Sequence, residues 1–233
     1  MKLLIITIFL TALHAFGQQM TLEEWNREAE TNIRLLPKYG MVDKTPEQKA
    51  SDESLRADML SQGLTAREAS EQFIDLGFKY LYQDIKTAMY RFNQAYLMDS
   101  NNIDIYWGYG GVYMVLGDID RAKEQFQIGL SKEPNNAKIL TDLATCYLGE
   151  YYDLSQRDLD KAKLKLNKAI ELFTKSYKID KTNQNTLFKI SVCYYQQEDC
   201  ENALKFYNEC MELGGNPISK EYKAAIKVAC GAE

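Results

Sequence analysis

One pattern of aromatic, small and apolar residues recurs four times along the second two thirds of the chain. Its clearest copy contains an aromatic-x2-Tyr-Gly-x2-Tyr sequence, an Ala-x3-Phe sequence nine residues further on, and a proline near its end. The alanine of the preceding copy, Ala88, lies 34 residues before its counterpart Ala122. Apolar residues three to four positions apart indicate helices, and this period predicts helix pairs that stack on one another. The positions in the clearest copy are Tyr106, Tyr109, Gly110, Tyr113, Ala122, Phe126 and Pro134.

The other three copies keep the same order of residue types. Each has a small residue at one site of its first helix, where the two helices of a pair are expected to approach closely. Each also has a large aromatic residue on its second helix. Because a helix pair leaves one apolar face open, at least about three stacked pairs are needed to close a core. The matching positions are Phe73, Leu76, Gly77, Tyr80, Ala88 and Phe92; Leu140, Leu143, Ala144, Tyr147, Ala169 and Phe173; and Leu187, Ile190, Ser191, Tyr194, Ala203 and Tyr207.

These copies resemble the tetratricopeptide repeat (TPR), whose pattern is W-x2-L-G-x2-Y…A-x3-F…P. The resemblance extends over about residues 68–217, with Tyr106 in place of the tryptophan and Gly129 in place of a usual alanine. It implies an all-α fold, a right-handed superhelical stack of helix-turn-helix repeats, which is an α-solenoid. We expect about nine to eleven helices in one domain.

The first 17 residues predict a secretory signal peptide. Lys2 precedes an apolar run, Leu3 to Leu13, and small residues at Ala15 and Gly17 match a cleavage site. The run is too short for a membrane span, so we expect cleavage after about Gly17 and export to a periplasm or to the medium. No later stretch approaches the ~20 apolar residues that a membrane span needs.

The rest of the chain divides into three parts. Residues 18–63 carry helix-start signals at Thr21 and Thr45 and form an N-terminal helical segment. Residues 64–217 hold the four repeats, and residues 218–233 form a C-terminal capping helix with lysines on its polar face. The N-terminal segment is expected either to stack on the repeats as a degenerate helix pair or to fill their groove, and stacking is preferred.

The third repeat contains an insertion around residues 149–161. Its alanine, Ala169, follows its tyrosine, Tyr147, by 22 positions, against nine in the clearest copy. Ser155-x-x-Asp158 predicts a helix start, so the second helix should be longer at its N-terminal end by roughly 11 Å. Tyr151 and Tyr152 are expected in the loop before it. The insertion is either simply tolerated or a protruding contact element.

The composition argues against most enzyme classes. The only histidine is His14, within the predicted signal peptide. The remaining chain therefore has neither a Ser-His-Asp nor a Cys-His arrangement, and it lacks the commonest zinc ligand. We predict no enzymatic activity, no cofactor and no metal. A net charge of −5 also argues against binding to nucleic acid or to an anionic membrane surface.

TPR proteins usually hold ligands along the concave face that the first helices form. The resemblance therefore implies a ligand-binding groove of apolar and aromatic residues, although the same positions could be partly buried packing residues. In one TPR subtype, Lys, Asn and Arg side chains on this face clamp a terminal carboxylate, and the groove positions of this chain lack them. The expected ligand is therefore an extended or helical segment with apolar anchors. The groove positions are Ile74, Phe78, Tyr82, Trp107, Gly111, Met114, Thr141, Thr145, Phe188, Val192 and Tyr195.

Three glycines, Gly108, Gly110 and Gly111, lie close together in the first helix of the clearest copy. They do not form a phosphate-binding loop, because neither a strand before them nor a Lys-Ser/Thr pair after them is present. The repeat makes Gly110 the small site of helix contact. Gly111 should leave a notch in the groove beside Trp107, and no role is assigned to Gly108.

The five cysteines fall into two groups. Cys146, Cys193 and Cys210 occupy small sites of the repeats and are expected to be buried thiols that behave as small apolar groups. Cys200 begins the second helix of the last repeat, and Cys230 ends the capping helix that packs antiparallel to it. These two ends should lie side by side, which makes a disulfide between Cys200 and Cys230 a hypothesis.

The sequence thus favours a non-catalytic exported scaffold that binds a protein or a peptide through an apolar and aromatic concave groove. The alternative is a structural or assembly subunit of an envelope complex, with its groove filled by its own N-terminal segment or by another subunit. The sequence does not reveal the identity of the partner or the oligomeric state.

Overall fold

The computed structural model describes residues 20–231, and the predicted signal peptide lies outside this range. All regular structure in the described residues is helical, which confirms the all-α prediction for this part of the chain. No helix within it is long and apolar enough to cross a membrane. Two short 3-10 turns cover Ile33–Leu35 and Pro37–Met41. The α-helices are α1 Leu22–Ala29, α2 Pro46–Ser61, α3 Ala66–Tyr80, α4 Ile85–Met98, α5 Asp104–Val115, α6 Ile119–Lys132, α7 Ala137–Leu154, α8 Leu159–Ile179, α9 Gln184–Gln196, α10 Cys200–Glu212 and α11 Lys220–Cys230.

The chain forms two compact units, with the boundary between Asp118 and Ile119. The N-terminal unit contains α1 to α5 and the C-terminal unit contains α6 to α11. The boundary lies in the turn between the two helices of the clearest sequence repeat. The compact units therefore do not coincide with the sequence repeats. The domain limits expected from the sequence remain a prediction.

Local side-chain hydrogen bonds determine where the first three helices begin. In each, a threonine hydroxyl accepts a hydrogen bond from the backbone N–H three residues later, and the Glu or Gln at that position accepts one from the threonine N–H. This reciprocal capping satisfies backbone donors that the first turn of a helix leaves open. The helix starts expected in the N-terminal segment are confirmed. The pairs are Thr21 with Glu24, Thr45 with Gln48, and Thr65 with Glu68.

The core of the N-terminal unit is built around the ring of Phe92, which is fully buried on α4. A Cβ atom placed on Gly77 of α3 would lie 2.3 Å from its Cε1 atom, and one on Gly108 of α5 would lie 2.3 Å from its Cδ1 atom. Both distances are far below van der Waals contact. The ring therefore occupies the space that side chains at Gly77 and Gly108 would need, which gives Gly108 the packing role that the sequence did not assign.

The N-terminal segment is held against α4 by a buried polar network. The Asn93 side-chain amide donates to the carbonyls of Arg34 and Leu36, at 2.8 Å and 3.0 Å, and its oxygen accepts from the Tyr109 hydroxyl at 2.7 Å. The same hydroxyl accepts from the backbone N–H of Lys38 at 3.0 Å. The segment thus contacts α4, which is the second helix of the first repeat, and Tyr109. Neither Asn93 nor Tyr109 is a predicted groove position. The two 3-10 turns, rather than a regular helix pair, make this contact.

The insertion of the third repeat lengthens both of its helices. The first helix, α7, has 18 residues and the second, α8, has 21. Tyr151 and Tyr152 belong to the last turn of α7, so their predicted place in a loop is wrong. The N-terminal cap of α8 is Asp158, which accepts from the backbone N–H of Lys161. The predicted start at Ser155 is wrong as well, because that residue ends α7.

The contact between Gly108 and Phe92 predicts that Gly108→Ala destabilises the protein. The new methyl group would displace a buried ring, and such overpacking costs about 1–3 kcal/mol. Gly111→Ala on the same helix is the matched control, because its Cβ would meet Leu81 at an ordinary 3.5 Å. That variant should be neutral or more stable by up to ~1 kcal/mol, since alanine favours helices over glycine. Urea unfolding measures both, and equal midpoints would contradict the assigned role of Gly108.

Candidate interaction surface

An aromatic pair forms the centre of the predicted groove positions in the N-terminal unit. The rings of Phe78 on α3 and Trp107 on α5 have centroids 4.0 Å apart and are inclined at 42°. Phe78 also meets the edge of the Phe92 ring at 5.2 Å. Phe78 and Trp107 are half-buried, and Tyr82, just beyond the end of α3, is 67% exposed. The structure thus leaves the aromatic pair partly accessible and the Tyr82 side chain exposed.

Two other groove positions of this unit are buried. Ile74 is only 4% exposed, and its side chain belongs to the core. Gly111 is buried, and a Cβ atom on it would lie 3.5 Å from Leu81 and 3.8 Å from Phe78. The position beside the tryptophan is therefore enclosed by neighbouring side chains, which leave room for a methyl group, and it is not an open notch on the surface. Met114 is half-buried.

In the C-terminal unit, Thr141 belongs to a buried hydroxyl cluster rather than to a surface. Its side chain is 4% exposed and lies 2.8 Å from the Ser176 hydroxyl and 2.6 Å from the Thr186 hydroxyl. Hydroxyl groups in the interior need such partners, because an unpaired buried hydroxyl group is costly. The prediction that Thr141 lines an accessible groove is wrong for this reason.

Thr145 connects this cluster to a lysine that the sequence analysis did not single out. The Thr145 hydroxyl donates to the Thr141 carbonyl at 2.8 Å and accepts from Lys189 Nζ at 2.8 Å. Burial lowers the pKa of Lys189, and the negative charge of Asp142 acts in the opposite direction. In the sequence, the only indication that this lysine is buried is its position between two large apolar residues on a predicted inner helix.

The groove positions of the last repeat contact the capping helix. The ring of Tyr222 on α11 meets the rings of Phe188 and Tyr195 at centroid distances of 5.4 Å and 5.7 Å. Its hydroxyl lies 2.7 Å from the Ser191 hydroxyl. Phe188 and Tyr195 therefore serve to dock the cap and do not stand open as a groove. Val192 is half-buried.

The cysteines fall into the two expected groups. The structure joins Cys200 at the start of α10 to Cys230 at the end of α11 in a disulfide, with their Cα atoms 5.2 Å apart. The other three are buried free thiols. Burial raises the pKa of the Cys146 thiol to about 12 and also raises the pKa values of Cys193 and Cys210. Thiols held in the protonated form are poor nucleophiles. Across residues 20–231, no group of three or more potential ligands is arranged to hold a metal ion.

Comparisons with known proteins show the fold. No family model matches the sequence. The crystal structure of TTC0263, a TPR protein of Thermus thermophilus, is similar to 70% of this chain and 79% of its own, with a TM-score of 0.56 and 15% identity. The crystal structure of MamA protein covers 70% of this chain and 81% of its own, with a TM-score of 0.48 and 16% identity. The first likeness shows that the fold is that of a TPR-type α-solenoid.

One curated relative is similar in sequence. RNA polymerase-associated protein CTR9 of Caenorhabditis elegans is 27% identical over 135 residues, which make up 55% of this chain. The match spans only 11% of the length of CTR9.

The lowered pKa of Lys189 predicts a pH effect on stability. The folded protein binds this proton more weakly than the unfolded chain, so the free energy of unfolding should rise with pH between the lowered pKa and ~10.4. In Lys189→Met this contribution is absent. We therefore expect the free energy of unfolding of the wild type, relative to that of Lys189→Met, to increase as the pH rises from 7. Urea unfolding of both proteins at several pH values measures this difference. Lys163→Met, which changes an exposed lysine of α8, is the control, and a pH-independent difference for Lys189→Met would contradict the assignment.

The Cys200–Cys230 pair predicts one disulfide-linked peptide pair in a non-reduced digest of the protein from an oxidising compartment. Replacing both cysteines by serine should lower the free energy of unfolding by about 2–4 kcal/mol, because the unfolded chain gains freedom without the cross-link. Mass spectrometry and urea unfolding measure the two effects. Two free thiols in the non-reduced digest would show that the pairing is wrong.

Proposed function

We propose that the protein is a non-catalytic scaffold that binds a segment of another protein through the aromatic surface of its N-terminal unit. This surface consists of Phe78, Tyr82 and Trp107. The observation that carries the proposal is the close pair of Phe78 and Trp107, together with a tyrosine that follows Phe78 by four residues and is 67% exposed. Exposed aromatic groups of this kind are enriched where proteins bind one another.

The chemistry of the surface favours apolar anchors on the partner. Phe78 is supported from below by Phe92, so its position is set by the core before a ligand arrives. A rigid aromatic surface contributes apolar contact area and loses little conformational freedom on binding. A leucine, methionine or aromatic side chain of an extended or helical segment would complement it.

The proposal of a non-catalytic role is supported by the state of the nucleophilic groups. The three free thiols of the described residues are buried, with pKa values raised by burial. The single histidine of the sequence is His14, which precedes the described residues. Among the described residues, the free thiols therefore offer no accessible nucleophile.

Export from the cytoplasm is part of the proposal. It is supported by the signal-type sequence of residues 1–17. It is further supported by the pairing of Cys200 with Cys230, because structural disulfides persist in oxidising compartments. Cleavage after about Gly17 would be seen by N-terminal sequencing of the exported protein.

A role as an assembly subunit is the second candidate. It is favoured by Leu159 and Leu164 on the lengthened helix α8, which are 55% and 67% exposed. The form of this alternative in which the N-terminal segment fills the groove has less support, since that segment contacts α4 and Tyr109. A subunit contact would instead use the exposed leucines.

Site-specific photocrosslinking separates the two candidates. A benzophenone amino acid would replace Tyr82, Leu164 or the 79% exposed Val228, each in the full-length protein in its native host. Partner binding through the aromatic surface predicts a crosslinked species of defined mass at Tyr82 and not at Val228. A crosslink at Leu164 alone would support the assembly role. Equal yields at all three positions would contradict both. Replacement of the exposed residues Tyr82, Leu164 and Val228 leaves the packing of Trp107 against Phe78 intact, whereas Trp107→Ala would remove it.

A further inference from the structure

An unusual stretch of backbone lies in the N-terminal segment, at Lys38, Tyr39, Gly40 and Met41. All four residues have left-handed conformations, with φ of 55°, 58°, 68° and 56°. Three of them are not glycine, and such residues rarely adopt this conformation because it brings the Cβ atom too close to the following carbonyl oxygen. Strained backbone of this kind persists only where the surrounding structure enforces it, and it is concentrated at binding sites and active sites.

The surrounding structure enforces this left-handed turn at several points. The Asn93 amide holds the carbonyl of Leu36 just before it, and the Tyr109 hydroxyl accepts from the N–H of Lys38. The Lys38 ammonium lies 4.8 Å from the centre of the Tyr106 ring. The turn therefore has a fixed shape, and this shape places the residues after it against the end of α4.

Between this turn and the end of α4 lies a cavity of about 630 Å³. Its walls are residues 38, 39 and 41–44, Lys49 and Arg56 of α2, Ala66, and residues 96–101 at and just after the end of α4. Its volume is within the range of small-molecule and side-chain binding sites, about 300–1,000 Å³. None of the aromatic surface residues lines it, so the cavity is separate from the surface assigned above.

The walls of this cavity carry an excess of positive charge, although the whole chain has a net charge of −5. Four cationic side chains line it, against two carboxylates. One of those carboxylates, Asp99, is already paired with Arg67 at 2.9 Å. The cations are Lys38, Lys44, Lys49 and Arg56.

Two of these cations have a structural role, and the other two have no carboxylate partner among the described residues. Lys44 pairs with Asp52, and Arg56 donates to the carbonyls at the end of α4 at 3.0 Å and 3.2 Å. Lys38 is stabilised by an aromatic ring, and Lys49 is exposed. A positive charge over a ring still attracts an anion. The cavity therefore has electrostatic capacity for one carboxylate of a ligand.

The rest of the lining is apolar or aromatic. Tyr39, Tyr96 and Met98 form part of the walls, and so do Met41 and Val42, which are 73% and 50% exposed. Apolar side chains so exposed on a turn of fixed shape lose unfavourable contact with water when a ligand covers them. A ligand that combines a carboxylate with an aromatic or large apolar group would match both parts of the cavity.

We propose that this cavity is a second binding site of the protein and that it takes a carboxylate joined to an aromatic group. The carboxylate is bound between Lys38 and Lys49, and the aromatic group lies against Met41 and Val42. Such a ligand could be an acidic-aromatic pair of residues in a polypeptide or a small aromatic acid. The site uses the non-repeating N-terminal segment and does not depend on the aromatic surface around Trp107.

Two-dimensional NMR of the full mature chain tests the site with three probes. These are acetyl-Asp-Phe-amide, acetyl-Asn-Phe-amide and 3-phenylpropionate. An acidic probe should shift resonances of residues 38–44 and 96–101 with a Kd on the order of 1 mM, and the asparagine probe should bind at least about tenfold more weakly, since it lacks the charge. Preference for the dipeptide indicates a polypeptide ligand, and preference for 3-phenylpropionate indicates a small acid.

A charge-reversal variant adds a second readout. Lys49→Glu should weaken binding of the acidic probe by about fivefold or more and leave the unfolding midpoint unchanged, because exposed charges contribute little to stability. Lys163→Glu, on an exposed lysine of α8, makes the same charge change elsewhere and should have no effect. The proposal is overturned by the absence of binding of both acidic probes up to about 10 mM, by equal binding of the asparagine probe, by shifts confined to other residues, or by equal effects of the two variants.

Discussion

The packing of one phenylalanine ring against two glycines on neighbouring helices determines how the N-terminal unit is built. Because Gly77 and Gly108 have no side chains, the ring of Phe92 fits between α3 and α5, and both helices approach α4 closely. The same approach brings the rings of Phe78 and Trp107 to 4.0 Å. The aromatic surface that we assign to partner binding is thus a consequence of how the core packs.

The two units use their first helices differently. In the N-terminal unit they carry the partly exposed aromatic pair of Phe78 and Trp107. In the C-terminal unit the capping helix α11 covers two of the corresponding positions with Tyr222, and Thr141 is in the core. A stack of repeats needs a terminal element with a polar outer face, and that element occupies positions that would otherwise be available to a ligand.

The N-terminal segment is an integral part of its unit because a satisfied polar network holds it there. Asn93 uses both donors and its acceptor, and Tyr109 both donates and accepts. Removing one member of such a network leaves the others unpaired in a medium where that is costly. This network enforces the left-handed turn at residues 38–41, and the turn in turn forms the cavity beside the end of α4.

The sequence by itself determined the order of the helices and the starts that Thr21, Thr45 and Thr65 cap, because capping residues and the repeat spacing act locally. It did not determine the end of α7 and the start of α8, where the insertion interrupts that spacing. It also placed Cys200 and Cys230 at neighbouring helix ends. Only the tertiary structure decided which groove positions reach the surface: Ile74 is buried while Tyr82 is exposed, since exposure depends on how near the adjoining helices come. The left-handed turn likewise required tertiary contacts, because its residues, apart from one glycine, have no local preference for that conformation.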